Sequence, residues 1–567
     1  MTIREAGLLV TTIQSVQNNS QVTLAAPAQR DVTERQADIW KTDSRPGFEL
    51  LLASLENQDI EMAEIQFGPG VYDFTRIPNT NGPMNAAIGL LRKKNLTIRG
   101  AGPGVTILRL MPQQDFEHEN THVIETRDCK RLTLCDFSLH GAYLTMDKTN
   151  EQMHGIFLNQ GSEDIIIERV RIFQSAGDGI RFLGRKANLK TKTAENKVRN
   201  IRVEDCQLIQ NKRTGLAFQR AVEFVSVRHC YIEMIPPSSD SCIDLEPSGL
   251  PPTDIVIESN IMKHATPAPA VSLSGSENPP DPARRIKFAD NEVTGGHIFC
   301  TDVNQLTIQN NAVRVTPLQP PLAGSPRVPI SVALGGDTVM ITGNLVVNDD
   351  PFTKSVIFLG GVREVRRALV ANNICFARVG SGIDCLSGHD VTIEGNMIVA
   401  TNICNNGIRI RSQSSPMDGI SVRDNDITVQ GTGNWEAGIH ISADPNPFGP
   451  LSIIGNSIRR AQKGIVFEST AYSEQPICAL NQTDDVQVPF LDLAVPPLNI
   501  VTGGITTTGG GIGKPGAGRF IVGRGDPNGH IIGNIGDVFQ SLDGAQIGKA
   551  LWVKEANNGT DSNWNPK

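Results

Sequence analysis

One short phrase recurs between Leu132 and Leu451: apolar, any, apolar, any, any, Asn, any, apolar. Its clearest copies start at Ile255, Leu306, Val339, Val391, Ile420 and Leu451. Weaker copies start at Leu132, Ile165, Ile201, Val225, Ile286 and Ala368. Successive copies start 20 to 36 residues apart, and within each copy the apolar residues alternate as they do in a strand. A strand-type repeat with this spacing predicts a solenoid of β-coils.

A second phrase follows the first in most coils: a small residue, then apolar, any, apolar, as in Ser241 to Leu245. Strand alternation predicts that the two apolar residues point inward and the residue between them points outward. Outward residues of adjacent coils then lie about 4.8 Å apart and form a column on one face. The predicted first column is Phe157, Arg181, Ala217, Asp244, Ser272, Ile357, Asp384, Arg409, His440 and Val466. The predicted second column is Asn159, Leu183, Gln219, Glu246, Ser274, Leu386, Arg411, Ser442 and Glu468.

Two strands per coil, joined by a turn that carries Asn, resemble the right-handed parallel β-helix of the pectate-lyase-like superfamily. In that fold the Asn side chains stack from coil to coil and satisfy backbone groups of the turns. The resemblance covers roughly residues 37 to 480. It implies an all-β, right-handed parallel β-helix with an N-terminal cap, in which the segment from Phe48 to Leu55 is a short helix.

Both ends of the chain are similar to parts of phage tail proteins. Residues 10 to 30 predict two strands around a turn, like the segment before the β-helix of tailspikes. Residues 536–556 resemble a small terminal module of phage structural proteins, and the Gly/Thr-rich stretch before them predicts a linker. The predicted divisions are an attachment segment at 1–36, a lead-in and cap at 37–125, coils at 126–480, a linker at 481–515 and a small β module at 516–567.

Bulk composition limits the classes of partner. A net charge of −8 argues against nucleic acid. No apolar run approaches the length of a membrane span, and no secretory signal is visible at the N-terminus. The 10 cysteines show no paired or metal-type spacing. Cys206 and Cys230 occupy the Asn position of adjacent coils, and we interpret them as isolated buried thiols. No metal or cofactor is predicted.

The first candidate site gathers acidic residues on one face. Asp244 and Glu246 share a strand, Asp178 lies at the bend before the Arg181 strand, and Gln219 lies one coil from Glu246. We predict Asp178, Asp244 and Glu246 as catalytic and Arg181 and Gln219 as substrate-binding. Carboxylates two residues apart on one strand face lie about 6 to 7 Å apart, which does not choose between retaining and inverting hydrolysis.

This hypothesis makes one structural demand: Arg181 and Asp244 must both be exposed on the same face. A basic loop between residues 185 and 199 could then hold an acidic polysaccharide over the carboxylates. The alternative is an ordinary solvated face beside a charged insertion.

A second candidate cluster places Asp384, Arg409 and His440 on three consecutive strands, with Arg411 beside them. All four are predicted as substrate-binding, because paired guanidinium groups suit a uronate carboxylate and His beside a carboxylate suits proton transfer. Opposite charges that merely stabilise the strand ladder are the alternative. His154 and His297 are predicted to be turn or surface residues.

The sequence lacks the motifs of the polygalacturonases, the uronan epimerases and the calcium-binding pectate lyases. The resemblance therefore implies a fold and no particular enzyme. It favours a phage or phage-tail-like tailspike, a receptor-binding protein of a virion or tail-like particle, which binds a bacterial surface polysaccharide; whether it also depolymerises that polysaccharide is left open. Spikes of this kind are homotrimers, so the resemblance implies a homotrimer. It also implies other components of the phage or tail-like particle as partners. A non-catalytic adhesin or structural spike, and a free polysaccharide lyase or glycoside hydrolase, are the alternatives.

Overall fold

The computed structural model describes most of the chain. The described residues are 2–5, 9–18, 21–24, 38–40, 43–56, 62–75, 84–111, 121–145, 151–185, 196–236, 238, 240–246, 250–277, 280–317, 327–400, 405–413, 415–429, 437–442, 446–468, 472–474, 476–486, 488–492, 501–503, 506–508, 520–523, 538–541, 551–554 and 564–566. The chain divides into two compact units, Met1–Lys287 and Phe288–Lys567. This division falls inside the segment that the sequence predicts as a single run of coils.

The first unit begins with a small antiparallel sheet and one helix. The strands of this sheet are Thr2–Glu5, Leu9–Asn18, Gln21–Leu24 and Asp38–Trp40. The helix Arg45–Glu56 begins where the backbone N–H of Arg45 donates to Asp43 Oδ1 at 3.0 Å. Phe48 and Leu52, one turn apart, are its buried apolar residues. Both the strand pair within residues 10–30 and the short helix confirm the sequence prediction.

The rest of the first unit is a right-handed parallel β-helix with three strand ladders. The first ladder contains Ala63–Gln66, Lys94–Arg99, Lys130–His140, Glu163–Phe173, Val198–Glu204, Val222–Arg228 and Thr253–Glu258. The second contains Gly70–Phe74, Thr106–Leu110, Gln207–Ile209, Tyr231–Met234 and Ile261–His264, together with the ends of the two longest strands of the first ladder. The third contains Ala86–Leu91, His122–Arg127, Ile156–Asn159, Ile180–Leu183, Leu216–Phe218, Ile243–Leu245 and Val271–Ser274.

The second unit is also a parallel β-helix over most of its length. Three long strands, Ile298–Gln309, Ile330–Thr342 and Ser355–Ala371, are followed in the first ladder by Gly388–Glu394, Ile420–Arg423, Leu451–Ile454, Ile477–Ala479 and Val501–Gly503. The second ladder contains Glu292–Thr294, Ala312–Val315, Leu345–Asn348, Ile374–Ala377, Met397–Ala400, Asp426–Val429, Ser457–Arg459, Gln482–Asp484, Thr506–Thr508, Phe520–Gly523 and Val538–Ser541. The third contains Ser381–Cys385, Asn406–Ile410, Ala437–Ile441, Lys463–Phe467 and Val488–Asp492.

A few short elements complete the chain. They are the 3-10 helix Tyr143–Thr145, the hairpin of Ser276–Glu277 with Pro280–Asp281, the strand Ala283–Ala289, and the antiparallel strands Leu551–Lys554 and Trp564–Pro566. No helix among the described residues is long and apolar enough to cross a membrane.

Coils with three strands correct the two-strand prediction. The recurrent phrase spans two strands, because the residue before the Asn adopts a positive φ and bends the chain between them. Ser259, at φ 58°, separates Thr253–Glu258 from Ile261–His264 in this way. The alignment of the phrase itself is confirmed, since the weaker copies at Leu132 and Ile165 pair in register.

The predicted asparagine stack is present in the second unit. It consists of Asn291, Asn311, Asn344, Asn373, Asn396, Asn425, Asn456 and Asn481. The backbone N–H of each Asn donates to the side-chain oxygen of the next, at 2.9 to 3.1 Å. From Asn311 onward each side-chain nitrogen also donates to a backbone carbonyl one coil back, for example Asn373 to Ile341 at 2.8 Å. These bonds satisfy turn groups that would otherwise be buried without partners.

Glycine before the ladder Asn has a steric reason. Gly395 has a φ of 61°, and a Cβ there would lie 2.6 Å from the side-chain oxygen of Asn372 in the preceding coil. The left-handed conformation and the close approach both favour glycine.

Two further differences concern register and boundaries. Ile357, predicted to point outward, is buried and pairs with Ile383, so Phe358 is the residue that pairs with Asp384. The second phrase has no glycine in this coil to fix its alignment. The sequence prediction therefore placed the outward position one residue too early, at Ile357 instead of Phe358. Strands also lie within the predicted linker at 481–515, where Gln482–Asp484 pairs in parallel with Thr506–Thr508.

The prediction of buried, unbridged thiols is confirmed, but the two thiols are not isolated, because a side-chain hydrogen bond with Cys230 adds to the rise in the pKa of Cys206. Cys206 and Cys230 are both free and buried, and the backbone N–H of Cys230 donates to the side-chain oxygen of Asn260 at 2.9 Å. The two thiols thus occupy the Asn position, as predicted. Burial raises the pKa of the Cys206 thiol well above its ordinary value, which keeps it un-ionised.

Candidate functional site

The third ladder of the first unit carries the predicted carboxylates. Arg181 pairs with Ala217 in the next strand, and Ala217 pairs with Asp244 in the strand after it. Arg181 and Asp244 therefore occupy the same column, two coils apart, as the sequence predicted. Small Ala217 stands between them, which leaves room for longer neighbouring side chains to meet across it.

Arg181 is buried, with only 5% of its surface exposed, so the prediction of an exposed Arg181 is wrong and the sugar groove in the form predicted, which required both residues to be exposed, is not present. Arg181 is therefore not placed to bind substrate directly, whereas Asp244 and Glu246 remain partly exposed. Arg181 Nη1 donates to Gln152 Oε1 at 3.1 Å and its Nη2 donates to Gln219 Oε1 at 2.5 Å. Its Nη2 also lies 3.8 Å from Glu246 Oε2. An outward position on a strand is not an exposed one here, because polar side chains from neighbouring segments cover the guanidinium.

Asp178 lies beneath Arg181 and is fully buried, with 0% exposure. Its Oδ2 lies 3.4 Å from Arg181 Nη1 and 3.6 Å from Arg213 Nη1. Burial raises the pKa of Asp178 from 3.8 to about 7, and the two nearby guanidinium groups only partly oppose this rise. Its Oδ1 is buried without a hydrogen-bond partner among the described residues. Asp178 therefore does not reach a sugar directly, and it can act only through the arginines that it contacts.

One of two stacked histidines contacts Asp178, and the sequence analysis predicted neither histidine as a site residue. His122 and His154 lie in adjacent coils with ring centroids 5.0 Å apart and planes 4° from parallel. Burial lowers the pKa of His122 to about 3 and that of His154 well below its ordinary value, so both rings are neutral. The backbone N–H of Asp178 donates to His154 Nδ1 at 3.0 Å.

His154 was predicted to be a turn or surface residue, and that prediction is wrong, since it is 1% exposed. The approach of Asp178 Oδ2 to His154 Nδ1, at 3.2 Å, is not an ion pair because the ring is neutral. The signal in the sequence was positional: His122, His154 and Asp178 occupy equivalent positions in consecutive coils. His297 is likewise buried, contrary to the prediction.

Arg213 is a further residue that sequence reasoning missed. It precedes the strand Leu216–Phe218, and its Nη2 forms an ion pair with Glu246 Oε1 while its Nη1 approaches Asp178. Glu246 remains accessible, with 21% of its side chain exposed. Arg213 and Arg181 thus both approach Glu246 at the surface of the site.

Asp244, two residues before Glu246, is half-buried. Burial raises the pKa of Asp244 from 3.8 to about 6, and the charge of Asp240 adds to the rise. A side-chain hydrogen bond from Ser272 and the charges of Arg213 and Arg181 oppose it. A carboxyl whose pKa is raised to about 6, which keeps its proton at mildly acidic pH, thus lies two residues from a carboxylate paired with guanidinium groups. This asymmetry is the arrangement that an acid and a base for bond cleavage require.

The second cluster lies in the other unit, and its predicted residues are only partly brought together. Register places Asp384, Arg409 and His440 in one column. Arg411 binds Asp384 in a bidentate manner, from Nε to Oδ1 at 3.2 Å and from Nη2 to Oδ2 at 2.9 Å. His440 Nε2 lies 2.9 Å from Glu468 Oε2, but the approach lacks hydrogen-bond geometry. Asp384 and Arg411 thus neutralise each other.

A groove of about 890 Å³ lies elsewhere in the first unit, on the outer face of the first ladder. Its lining includes Thr97, Arg202, Phe224 and Asp254 but none of the predicted catalytic residues. We place the candidate chemistry at Asp244 and Glu246 rather than in this groove, because Arg285 pairs with the groove residue Asp254 and lowers its pKa, whereas burial raises the pKa of Asp244. In the described part of the chain, no group of three or more His, Cys, Asp or Glu side chains is arranged to hold a metal.

No protein-family model matches the chain, and no curated protein sequence matches it. Solved structures of similar fold include the A-module of the mannuronan C-5 epimerase AlgE6 of Azotobacter vinelandii, at 13% identity and a TM-score of 0.41, covering 73% of this chain and 95% of that one. Pre-mature gene product 12 of bacteriophage phi29 has 12% identity and a TM-score of 0.43, covering 93% and 74%. The catalytic unit of a GH87 α-1,3-glucanase of Streptomyces thermodiastaticus has 13% identity and a TM-score of 0.29, covering 82% and 66%.

Proposed function

We propose that this protein is a tailspike of a phage or phage-tail-like particle, which binds a bacterial surface polysaccharide and cleaves it at Asp244 and Glu246. The terminal segments that resemble phage tail proteins support the particle assignment. The regular third ladder supports an extended ligand, because coils present side chains at a fixed spacing of about 4.8 Å. The proposal does not choose between hydrolysis and elimination.

One observation carries the catalytic part. Asp244, in the strand Ile243–Leu245, and Glu246, just after that strand, are both partly exposed but have different electrostatic environments. Asp244 has a pKa raised to about 6 by burial. Glu246 is held by Arg213 and approached by Arg181. We assign Asp244 as the proton donor to the leaving oxygen and Glu246 as the carboxylate that acts as base or nucleophile. Asp178, being fully buried, is a positioning residue for the two arginines.

The test uses two conservative substitutions. Asp244→Asn and Glu246→Gln keep the side-chain shapes but remove the proton donor and the carboxylate. Each should lower the rate of polysaccharide cleavage by about 10² to 10⁴ fold, the usual contribution of acid–base catalysis. Activity is measured on purified host capsule as newly formed reducing ends, and unsaturated uronates among the products would identify elimination.

Asp254→Asn is the matched control. Asp254 also lies in the first unit and is ion-paired, to Arg285, but it lines the groove on the first ladder rather than the third. This variant should retain wild-type activity. Full activity in both Asp244→Asn and Glu246→Gln would rule out the catalytic assignment. If the wild type binds capsule but does not cleave it, the non-catalytic adhesin is favoured instead.

A further inference from the structure

The third ladder of the second unit follows a diagonal pairing rule. A side chain in the first column meets the side chain two positions further along the strand of the next coil. Asp384 is bound in this way by Arg411, and His440 is approached in this way by Glu468. Register confirms that both pairs span one coil step, because Asp384 pairs with Arg409 and His440 pairs with Val466.

Arg409 breaks this rule. Its strand partner in the next coil is His440, so the residue at its diagonal position is Ser442 rather than an acid. The Nε of Arg409 is enclosed without a hydrogen-bond partner, and no ion pair of the described part of the second unit includes this guanidinium. The coil step between these two pairs therefore contains a cation with a hydroxyl at its diagonal position.

The side chain at the diagonal position of Arg409 is a hydroxyl, which can donate a hydrogen bond. Ser442 and His440 are both more than nine-tenths buried, and neither ring nitrogen of His440 has a hydrogen-bond partner among the described residues. The nearest described acids, Asp384 and Glu468, already face Arg411 and His440. Arg409 itself is only half-buried, so its guanidinium is accessible from outside.

We propose that Arg409, with Ser442 beside it, binds the carboxylate of a uronate residue in an acidic saccharide. A planar guanidinium matches a carboxylate with two parallel hydrogen bonds, and the Ser442 hydroxyl supplies a further donor. This saccharide site lies in a different unit from Asp244 and Glu246. The inference rests on the proposed function only in taking a polysaccharide as the ligand.

The experiment measures binding without cleavage, in the full-length Asp244→Asn, Glu246→Gln double variant. The probes are oligomers of galacturonate, glucuronate and mannuronate, each compared with its methyl ester, which keeps the sugar backbone and removes the charge. At least one acid oligomer should bind more than about tenfold more tightly than its ester, because charged hydrogen bonds are worth at least this much.

Two substitutions locate the site. Arg409→Gln should lower the affinity for that acid oligomer by about tenfold or more and leave binding of the ester unchanged. Ser442→Asp places an acid at the diagonal position of Arg409, so it should neutralise the guanidinium and lower the affinity to a similar extent. Arg423→Gln, which removes an exposed arginine already paired with Glu394 in the same unit, is the control and should bind like the parent.

Several outcomes would overturn the inference. These are equal binding of acid and ester, unchanged affinity in both Arg409→Gln and Ser442→Asp, binding of sulfated but not carboxylated oligomers, or no binding of any oligomer. Thermal unfolding of each variant shows whether it is folded. If Arg409→Gln does not fold, Ser442→Asp provides the test of the site. None of these results bears on cleavage, which is measured separately on capsule with the wild type.

Discussion

Asp178 shows how burial outweighs pairing at the scale of a single residue. Two guanidinium groups lie within 3.6 Å of its carboxylate, yet its pKa is raised to about 7. Removing the carboxylate from water destabilises its charged form by more than the two long ion pairs stabilise it. The positive charges of Arg181 and Arg213 are then left partly uncompensated within the site, which favours their approach to Glu246.

This balance predicts a pH-dependent stability. A carboxyl whose pKa is higher in the folded state binds protons more tightly when folded. Protonated Asp178 makes its full contribution to the free energy of unfolding below the unfolded pKa of about 3.9. This contribution is lost as the pH rises through the folded pKa of about 7. Relative to Asp178→Asn, the wild type should therefore lose about 3 kcal/mol of unfolding free energy between about pH 5 and pH 8.

The measurement is denaturant unfolding of both proteins across that pH range. Asp254→Asn provides the comparison, because Arg285 lowers the pKa of Asp254 and its titration lies below this range. The difference between the wild type and Asp254→Asn should stay constant over the same pH values. A constant difference for Asp178→Asn as well would mean that Asp178 stays ionised in the folded protein.

Sequence reasoning located Asp244 and Glu246 but not the chemistry beneath them. The strand period is sufficient to place Arg181 and Asp244 in one column. Exposure depends on segments outside the repeat, and Gln152, which covers Arg181, lies in one of them. Arg213 was missed for the same reason, since it precedes its strand and belongs to neither phrase.

At the scale of elements, the asparagine ladder holds the turns of the second unit in register. Asn373 is fully buried and accepts from both the backbone N–H and the side chain of Asn344, at 3.0 and 2.9 Å. It also donates to the carbonyl of Ile341 at 2.8 Å. Each unpaired buried group costs about 1 to 3 kcal/mol.

Asn373→Ala should therefore lower the free energy of unfolding by about 3 kcal/mol or more. The exchange of the Asn344 amide hydrogen should also accelerate, because its acceptor is removed. Asn405→Ala, at an exposed position of the same unit, should change stability by less than about 0.5 kcal/mol. Equal effects of the two substitutions would show that the ladder contributes nothing beyond an ordinary surface contact.

The Asn phrase predicted these elements because one residue type recurs at a position that must satisfy buried backbone groups. Where the sequence departs from the phrase, the predicted strand positions were less accurate. The strand Ser355–Ala371 runs through the usual bend, so its outward residue, Phe358, was misplaced by one. The linker prediction rested on Gly and Thr content, yet Thr506–Thr508 is a strand, because pairing with a preceding coil can override local propensity.

At the scale of the whole molecule, we propose a homotrimer on a phage or tail-like particle. A mass of 61.3 kDa per chain predicts an assembly of three times that value, about 184 kDa. Sedimentation equilibrium of the full-length protein at several concentrations measures this directly. A single species of 61.3 kDa at all concentrations would contradict the trimer and favour a free enzyme.

The central claim is that an extended sugar chain lies across Asp244 and Glu246. The most direct measurement is a structure of the Asp244→Asn, Glu246→Gln double variant with an oligosaccharide from the host capsule. The account predicts density for sugar rings over residues 244 and 246, with a glycosidic oxygen within hydrogen-bond distance of the residue 244 side chain. Sugar bound only in the groove beside Phe224, or on the second unit alone, would contradict it.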